Sequence, residues 1–384
     1  MNVRKGLSFA QKVLAEKRLV KPFIQHHHNN GKLPSVALIM KERQLLMSWM
    51  NSHRNEIAAK LTTPATVKLT DQDRFLGSHW LAEIAIPEAM KQKLFNNENP
   101  IQTVAEIIHS AATIAQATIL NQISFQQEHT QNITSILVIS ESHLSINVIP
   151  AENLVIVDVF TCGEIGYDEA IDYIRARLGG EVIARLEVVR GLIIQNKFLP
   201  GIGVKTNDTV EMLADGRNTS NKLALGRHVL IELYLCDSYT INDAAWVRSV
   251  FQQAIKVAGG KLEGDFVHVF TPQGVSNVAI GSAKQAYGNG YCVLTIHDYP
   301  EYSVEDAGAY ATVDFCDLTG ELDFDLLIDF IQKSLQSAKI FTHEFLRGVY
   351  EVGADNKKEF VKRLEFEASP VAEETRMVLR RLSY

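Results

Sequence analysis

The chain has 384 residues, 46% apolar and 22% charged, a balance that suits packed globular domains and argues against bulk disorder. Its 45 acidic against 38 basic residues, a net charge of −7, disfavour a general nucleic-acid binder, which needs a basic face for phosphates. No apolar run reaches the ~20 residues of a membrane span, and the first residues lack a signal-peptide core, so a cytoplasmic chain without membrane contact is expected. Four scattered cysteines with no CxxC pair (Cys162, Cys236, Cys292, Cys316) predict reduced thiols, any special one acting alone.

Residues 1–65 are read as an N-terminal extension, expected to be helical. Within it His26-His27-His28 is not read as a metal site, because adjacent residues cannot share one face and no acid lies close by. A first unit, 66–195, shows a strand over 80–86 and a helix over 101–120, then strands over 136–139, 144–149 and 154–160. A helix over 167–178 and a strand over 181–190 close it. Residues 196–222, rich in Gly, Asn, Thr and Asp, read as a linker whose Gly201-Ile202-Gly203 lacks the rest of a dinucleotide fingerprint. A second unit, 223–349, repeats the pattern. Its strands cover 229–235, 275–280, 292–297, 309–315 and 338–347, and its helices 243–258 and 324–335. The charged tail, 350–384, with Lys357-Lys358 and Arg380-Arg381, reads as a solvated helical face.

The two units are copies. Gly77-Ser78-His79-Trp80-Leu81-Ala82-Glu83-Ile84 reads against Gly226-Arg227-His228-Val229-Leu230-Ile231-Glu232-Leu233. Ser145-Ile146-Asn147 with Pro150 reads against Thr295-Ile296-His297 with Pro300. Val157-Asp158 matches Val313-Asp314, and Arg190-Gly191 matches Arg347-Gly348. Four matches in one order, about 150 residues apart, define a duplicated unit of about 120 residues. The expected fold is α+β: two homologous units, each an antiparallel-rich sheet with helices on one face, packed sheet to sheet as a four-layer αββα sandwich.

The copies differ where polar residues cluster. The first carries Glu141-Ser142-His143-Leu144-Ser145-Ile146 and, at a later strand end, Phe160-Thr161-Cys162-Gly163. The second carries Phe270-Thr271-Pro272-Gln273-Gly274-Val275-Ser276, then His297 and Glu301. In alignment Phe270 stands opposite Glu128, Ser276 opposite Thr134, His297 opposite Asn147 and Glu301 opposite Ala151, whereas Ser142 stands opposite Cys292. Each copy holds half of a set.

These motifs, with Gly226 to Leu233, resemble the bacterial form of the S-adenosylmethionine decarboxylase family across both copies. Bacterial members are short chains that pair, with sites between protomers. Eukaryotic members resemble a fused duplication, with a self-cleaving serine and a cysteine from the first half and an aromatic ring, serine, histidine and glutamate from the second. The resemblance implies that Ser142 attacks the Glu141 carbonyl, that the chain splits into 1–141 and 142–384, and that a pyruvoyl group remains on the new N-terminus. It implies that Ser276 and His297 assist processing and that Cys162 returns a proton to the substrate. Phe270, with Phe75 as a second ring, would stack on adenine, and Glu301 would accept from the ribose hydroxyls.

The chemistry is consistent with that expectation. Decarboxylating an amino acid leaves a carbanion, and no ordinary side chain is an electron sink; a ketone that forms a Schiff base is one. The expected activity is decarboxylation of S-adenosylmethionine to the aminopropyl donor for spermidine, at one site per chain, in a monomer or a homodimer. Two alternatives stay open: a pyruvoyl-dependent decarboxylase of ornithine or arginine, and a non-catalytic regulatory homologue.

Overall fold

The computed structural model describes residues 58, 65–70, 73–140, 142–162, 166–195, 197–216, 222–270, 274–283, 291–299, 309–353 and 358–361. After a short strand, β1 (Thr66–Lys68), the first unit runs β2 (Arg74–Ala85), α1 (Glu88–Phe95), α2 (Pro100–Ile114) and β3 (Ile119–Gln126). It continues through β4 (Ile133–Ile139), β5 (Ser142–Ile149), β6 (Leu154–Thr161), α3 (Tyr167–Arg177) and β7 (Glu181–Ile194). Three short strands follow, β8 (Lys197–Leu199), β9 (Gly203–Thr206) and β10 (Thr209–Met212). The second unit runs β11 (Leu223–Cys236), α4 (Ser238–Ile241), α5 (Ala244–Val257), β12 (Gly260–Phe270) and β13 (Gly274–Ala283). It ends with β14 (Tyr291–Tyr299), β15 (Ala309–Asp317), α6 (Phe324–Ser334), β16 (Lys339–Val352) and β17 (Lys358–Phe360).

The strand order β3-β4-β5-β6-β2-β7 of the first sheet recurs as β12-β13-β14-β15-β11-β16 in the second. Paired strands are antiparallel in both, and the registers coincide. Thr134 pairs with Asn147 as Ser276 pairs with His297, and Ser142 pairs with Thr161 as Cys292 pairs with Asp317. The duplication therefore holds residue by residue at the polar positions.

Each sheet buries one face under helices. Ile107, Ile108 and Ala111 of α2 and Ile171 and Ile174 of α3 pack on Leu137, Ile146 and Val157, while Phe251 of α5 and Leu327 and Ile331 of α6 pack on Leu294 and Phe315. The other faces meet, Leu81 and Val188 against Leu230, Tyr234 and Phe345, and Ile136 and Val138 against Val278 and Ile280. This is the four-layer αββα sandwich. Central strands covered on both faces explain the unbroken burial of β4, β5, β6 and β15. Each fully buried Leu or Ile there contributes about 1.5–3 kcal/mol. The long helices start where side chains accept their free N–H groups: Asn99 from Gln102, Asp243 from Ala245 and Trp246, and Asp323 from Leu326.

Several expectations are corrected. The helix expected over 101–120 stops at Ile114, and residues from Ile119 form β3, which with β12 was not foreseen. These are edge strands; every residue of β3 is only partly buried, so its sequence, ILNQISFQ, carries no clean alternation. The expected linker instead supplies β8, β9 and β10, which join the first sheet because Val210 and Met212 pack on Val67, Val189 and Leu192. In the tail, expected to be helical, Lys358 lies in β17 and pairs with Val352 of β16. Residues 1–57, with His26-His27-His28, and 362–384 lie outside the described residues.

Two fully buried arginines cross between the sheets. Arg190 of β7 donates to Glu232 and Asp314 and to the carbonyls of Ile231 and Val313, all in the second sheet. Arg347 of β16 donates to Glu83 at 3.3 Å and to the carbonyls of Ala82 at 3.0 Å and Val157 at 3.2 Å, all in the first. Ala82 and Ile231, Glu83 and Glu232, and Val157 and Val313 are equivalent positions, so the exchange has the self-complementarity of a two-fold interface. Gly191 and Gly348, next along the chain, share φ values of 60° and 61°, which L side chains rarely adopt, and Gly348 N–H donates to Glu83. Burial pushes the Glu232 carboxyl up to about 8 against the pull of Arg190, and it raises Glu83 likewise against Arg347.

Removing one partner of such a pair leaves a bare buried charge. Arg347→Ala is expected to lower the unfolding free energy in urea by about 3–5 kcal/mol, and the double variant Glu83→Leu with Arg347→Met to recover most of it. Equal losses in single and double variants would show that packing alone is at stake.

Candidate active site

Ser142 opens β5 at its pairing with Thr161, the last residue of β6, so Cys162 follows directly beside it. Ser142 is buried, with a φ of 144°, a conformation costing a non-glycine residue on the order of 1–3 kcal/mol. Its hydroxyl lies 3.3 Å from Nδ1 of His143. Cys162 is exposed, and its Sγ lies 3.7 Å from Nε2 of His297 on β14 of the other sheet. Ser276 stands across from His297 in the β13–β14 ladder. The Phe270 ring, at the end of β12, stacks on the His297 ring at 5.4 Å, and the Tyr299 ring, on the same face of β14, lies 4.8 Å from the His297 ring. The structure thus brings Ser142, Cys162, Ser276, His297 and Phe270 to one seam between the copies.

Three further expected residues are not among these. Glu141 and Glu301 lie outside the described residues. Phe75 packs with Val67, Val189, Leu192, Val210 and Met212, with the Lys205 ammonium 6.0 Å from its ring centre, and makes no ring contact with Phe270 among the described residues. It is nonetheless next to Leu76, whose carbonyl accepts the Tyr299 hydroxyl at 3.3 Å.

The opposite ends of the duplicated set are chemically quiet. Thr134 donates to Asn147 at 2.7 Å where the second copy has Ser276 and His297. Cys292, opposite Ser142, is buried, and burial drives its thiol well above the ordinary range; burial likewise pushes Cys316 up to about 12.

Beneath the seam lies a buried charge network that the sequence marked as a repeat and not as part of a site. His79 meets Asp158 through Nε2 and Asp314 through Nδ1, the latter at 3.5 Å. His143 and His228 each face Asp158, at 3.6 Å and 3.7 Å. Burial would raise the Asp158 carboxyl, but the charges of His79 and His228 hold it well below the usual carboxylate range. Burial likewise opposes a charged His143 ring, and the facing Asp158 carboxylate outweighs it and raises the pKa. His228 is pulled down to about 3 by burial. The histidines and aspartates are close enough to suit a cation, but Arg347 already occupies Nδ1 of His228 at 3.2 Å and Arg190 occupies Asp314. Arg190 supplies the positive charge that Asp314 needs, and the surrounding histidines supply it to Asp158. Tyr299 stacks on Tyr310, whose hydroxyl donates to Glu232, so the seam and the network are in continuous contact.

Fold and site together define a tandemly duplicated α+β sandwich whose polar seam takes complementary residues from its two halves. The S-adenosylmethionine decarboxylase family model matches residues 79–191 and 227–348, and the chain belongs to that family. It is similar to the S-adenosylmethionine decarboxylase proenzyme of Symbiobacterium thermophilum, 36% identical over 103 residues, 27% of this chain and 77% of that one. It is also similar to proenzyme 2 of Halalkalibacterium halodurans, 30% identical over 134 residues, 35% of this chain and 94% of that one. The solved adenosylmethionine decarboxylase of Aquifex aeolicus aligns with a TM-score of 0.26 at 24% identity, over 32% of this chain and 96% of that one. No helix among the described residues is long and apolar enough to cross a membrane.

Burial, with the nearby His143 charge, lowers the His297 ring to about 4, so it is neutral near pH 7. The folded chain then binds fewer protons than the unfolded one as pH falls from about 6.5 to about 4, and this ring's contribution to stability, complete above 6.5, is lost across that window. Proton uptake on unfolding near pH 5 should fall by close to one proton in His297→Gln, read from the pH dependence of urea midpoints. An unchanged slope would show that the ring titrates normally.

Proposed function

We propose that this chain is a self-cleaving S-adenosylmethionine decarboxylase with one site per chain, split between Glu141 and Ser142, that yields the aminopropyl donor for spermidine synthesis. The observation that carries the reading is the 3.7 Å approach of Cys162 in the first copy to His297 in the second, with Ser142 on the adjoining strand. Family membership, and the decarboxylase proenzymes among the relatives, support the same activity.

The residues present fit a pyruvoyl group at position 142: a serine in a strained backbone, at a strand start, beside an imidazole. Such a group supplies an electron sink for the pair left on the substrate carbon when carbon dioxide departs. Cys162, open to solvent, holds the proton that this carbon takes up. The neutral His297 ring faces that thiol through Nε2 and orients it. Phe270 offers an aromatic face to adenine, and aromatic rings near the sulfonium contribute about 0.5–2 kcal/mol. Glu301 accepts from the ribose hydroxyls. Ser276, in register with His297, assists processing. The domain limits 66–195 and 223–349 are proposed as the two halves sharing this site.

Purified protein should show two masses, for 1–141 and 142–384, and should release labelled carbon dioxide from carboxyl-labelled S-adenosylmethionine. Ser142→Ala should remain one chain and release none. An unbroken wild-type chain without release would overturn the proposal, and release from ornithine or arginine alone would move it to another substrate. Cys162→Ala should still split but lose about 100-fold or more in kcat, as expected for a missing general acid.

A further inference from the structure

Resting on the reading of Ser142 as the self-cleaving residue, we propose that His143, held by Asp158, is the general base that takes the Ser142 Oγ proton for attack on the Glu141 carbonyl. The hydroxyl's hydrogen bond among the described residues goes to His143 Nδ1 at 3.3 Å. The opposite ring nitrogen, Nε2, is buried, lacks a hydrogen-bond partner at ordinary distance, and faces Asp158 Oδ2 at 3.6 Å. Serine, imidazole and carboxylate thus stand in the order of a catalytic triad, and such contacts are commonly loose before the reaction tightens them. With the Nε2 proton directed at Asp158, the Nδ1 lone pair is left for the serine.

The other imidazole of the seam is otherwise engaged. His297 turns Nε2 to Cys162, and burial leaves it a weak base. Asp158 stabilises the imidazolium that forms on His143, as its effect on that ring's proton affinity already indicates. Among the described residues, the charged and titratable groups facing His143 are Asp158 of β6, His79 of β2, Asp314 of β15, Arg190 of β7 and His297 of β14.

The step balances without an outside reagent. Oγ forms a bond to the Glu141 carbonyl carbon as its proton passes to Nδ1. The carbon–nitrogen bond of the 141–142 peptide then breaks, and the proton moves from Nδ1 to the released amine of residue 142. The product is an ester between Glu141 and the Ser142 side chain, ready for elimination. Asp158 touches no reacting atom and is a positioning residue. His143 shares the inter-sheet face of β5 with Ser145 and Asn147, whereas Leu144, Ile146 and Val148 face the helices.

The test follows pulse-labelled precursor from cell-free translation. His143→Gln should split at least about 100-fold more slowly than wild type. Hydroxylamine, which opens esters far faster than amides, should cut the wild-type precursor at 141–142 and leave the His143→Gln precursor whole. The wild-type rate should rise with pH through one titration above about 6.5, the ordinary imidazole value, and this dependence should vanish in His143→Gln. Free imidazole should restore part of the rate to His143→Ala. Splitting of His143→Gln within about twofold of wild type, or hydroxylamine cutting at the wild-type rate, would overturn the assignment. If either variant fails to fold, the wild-type profile decides alone, and a rate flat between pH 6 and 8 would also overturn it. A wild-type chain that never splits would instead remove the self-cleavage reading on which the assignment rests.

Discussion

The two sheets are held in one relative position by an exchange of arginines. Arg190 places its guanidinium on Glu232, Asp314 and two carbonyls of the second sheet, and Arg347 does the equivalent on Glu83 and two carbonyls of the first. Apolar faces such as Leu81 against Leu230 and Ile136 against Val278 would tolerate sliding, because hydrophobic burial is not directional. Buried guanidinium groups do not tolerate it. Taking these ions out of water costs several kcal/mol each, and only fully made hydrogen bonds repay it. Any other stacking of the sheets would strand a charge.

The site follows from that constraint. Once the sheets are fixed, the end of β6 and the start of β5 lie beside β14 of the other copy, and Cys162 meets His297. Because the arrangement is pseudo-two-fold, an equivalent place exists in which the polar set of the first seam is replaced. Thr134 hydrogen-bonds Asn147, and Cys292 is a buried thiol where the first copy has its serine. The proposed site takes its residues from both copies, and the equivalent positions of each copy hold different side chains. The same charge network that locks the sheets also reaches the seam through Asp158 and His143 on one side and through Glu232, Tyr310 and Tyr299 on the other.

Much of the fold was legible in the sequence, and the gaps have physical causes. Central strands such as β5 and β6 announce themselves because both faces are buried, and helices α2, α3, α5 and α6 carry apolar residues at helical spacing. Strand β3 does not, since half-buried residues on an edge need no alternation. Strands β9 and β10 were hidden in a polar, Gly-containing stretch, ordered by a small cluster around Val210 and Met212. In the site, Ser142, Cys162, Ser276, His297 and Phe270 stood out as positions where the copies differ. His79, Asp158, Arg190 and their partners did the opposite. They matched between copies and so served as evidence of duplication, with no sign that they touch one another. Tyr299 lay beside residues already singled out and carried no signal of its own.

By itself the sequence determined the duplication, the order of elements within each copy and the division of polar residues between them, because periodicity, motif order and side-chain chemistry are local properties of a chain. Only the tertiary structure decided that residues from opposite halves share one seam, that His143 reaches both Ser142 and Asp158, and that two arginines exchange across the sheets. Apart from the contact between the neighbours Ser142 and His143, those are distances through space between separate strands, set by which apolar faces meet and which buried charges must be paired.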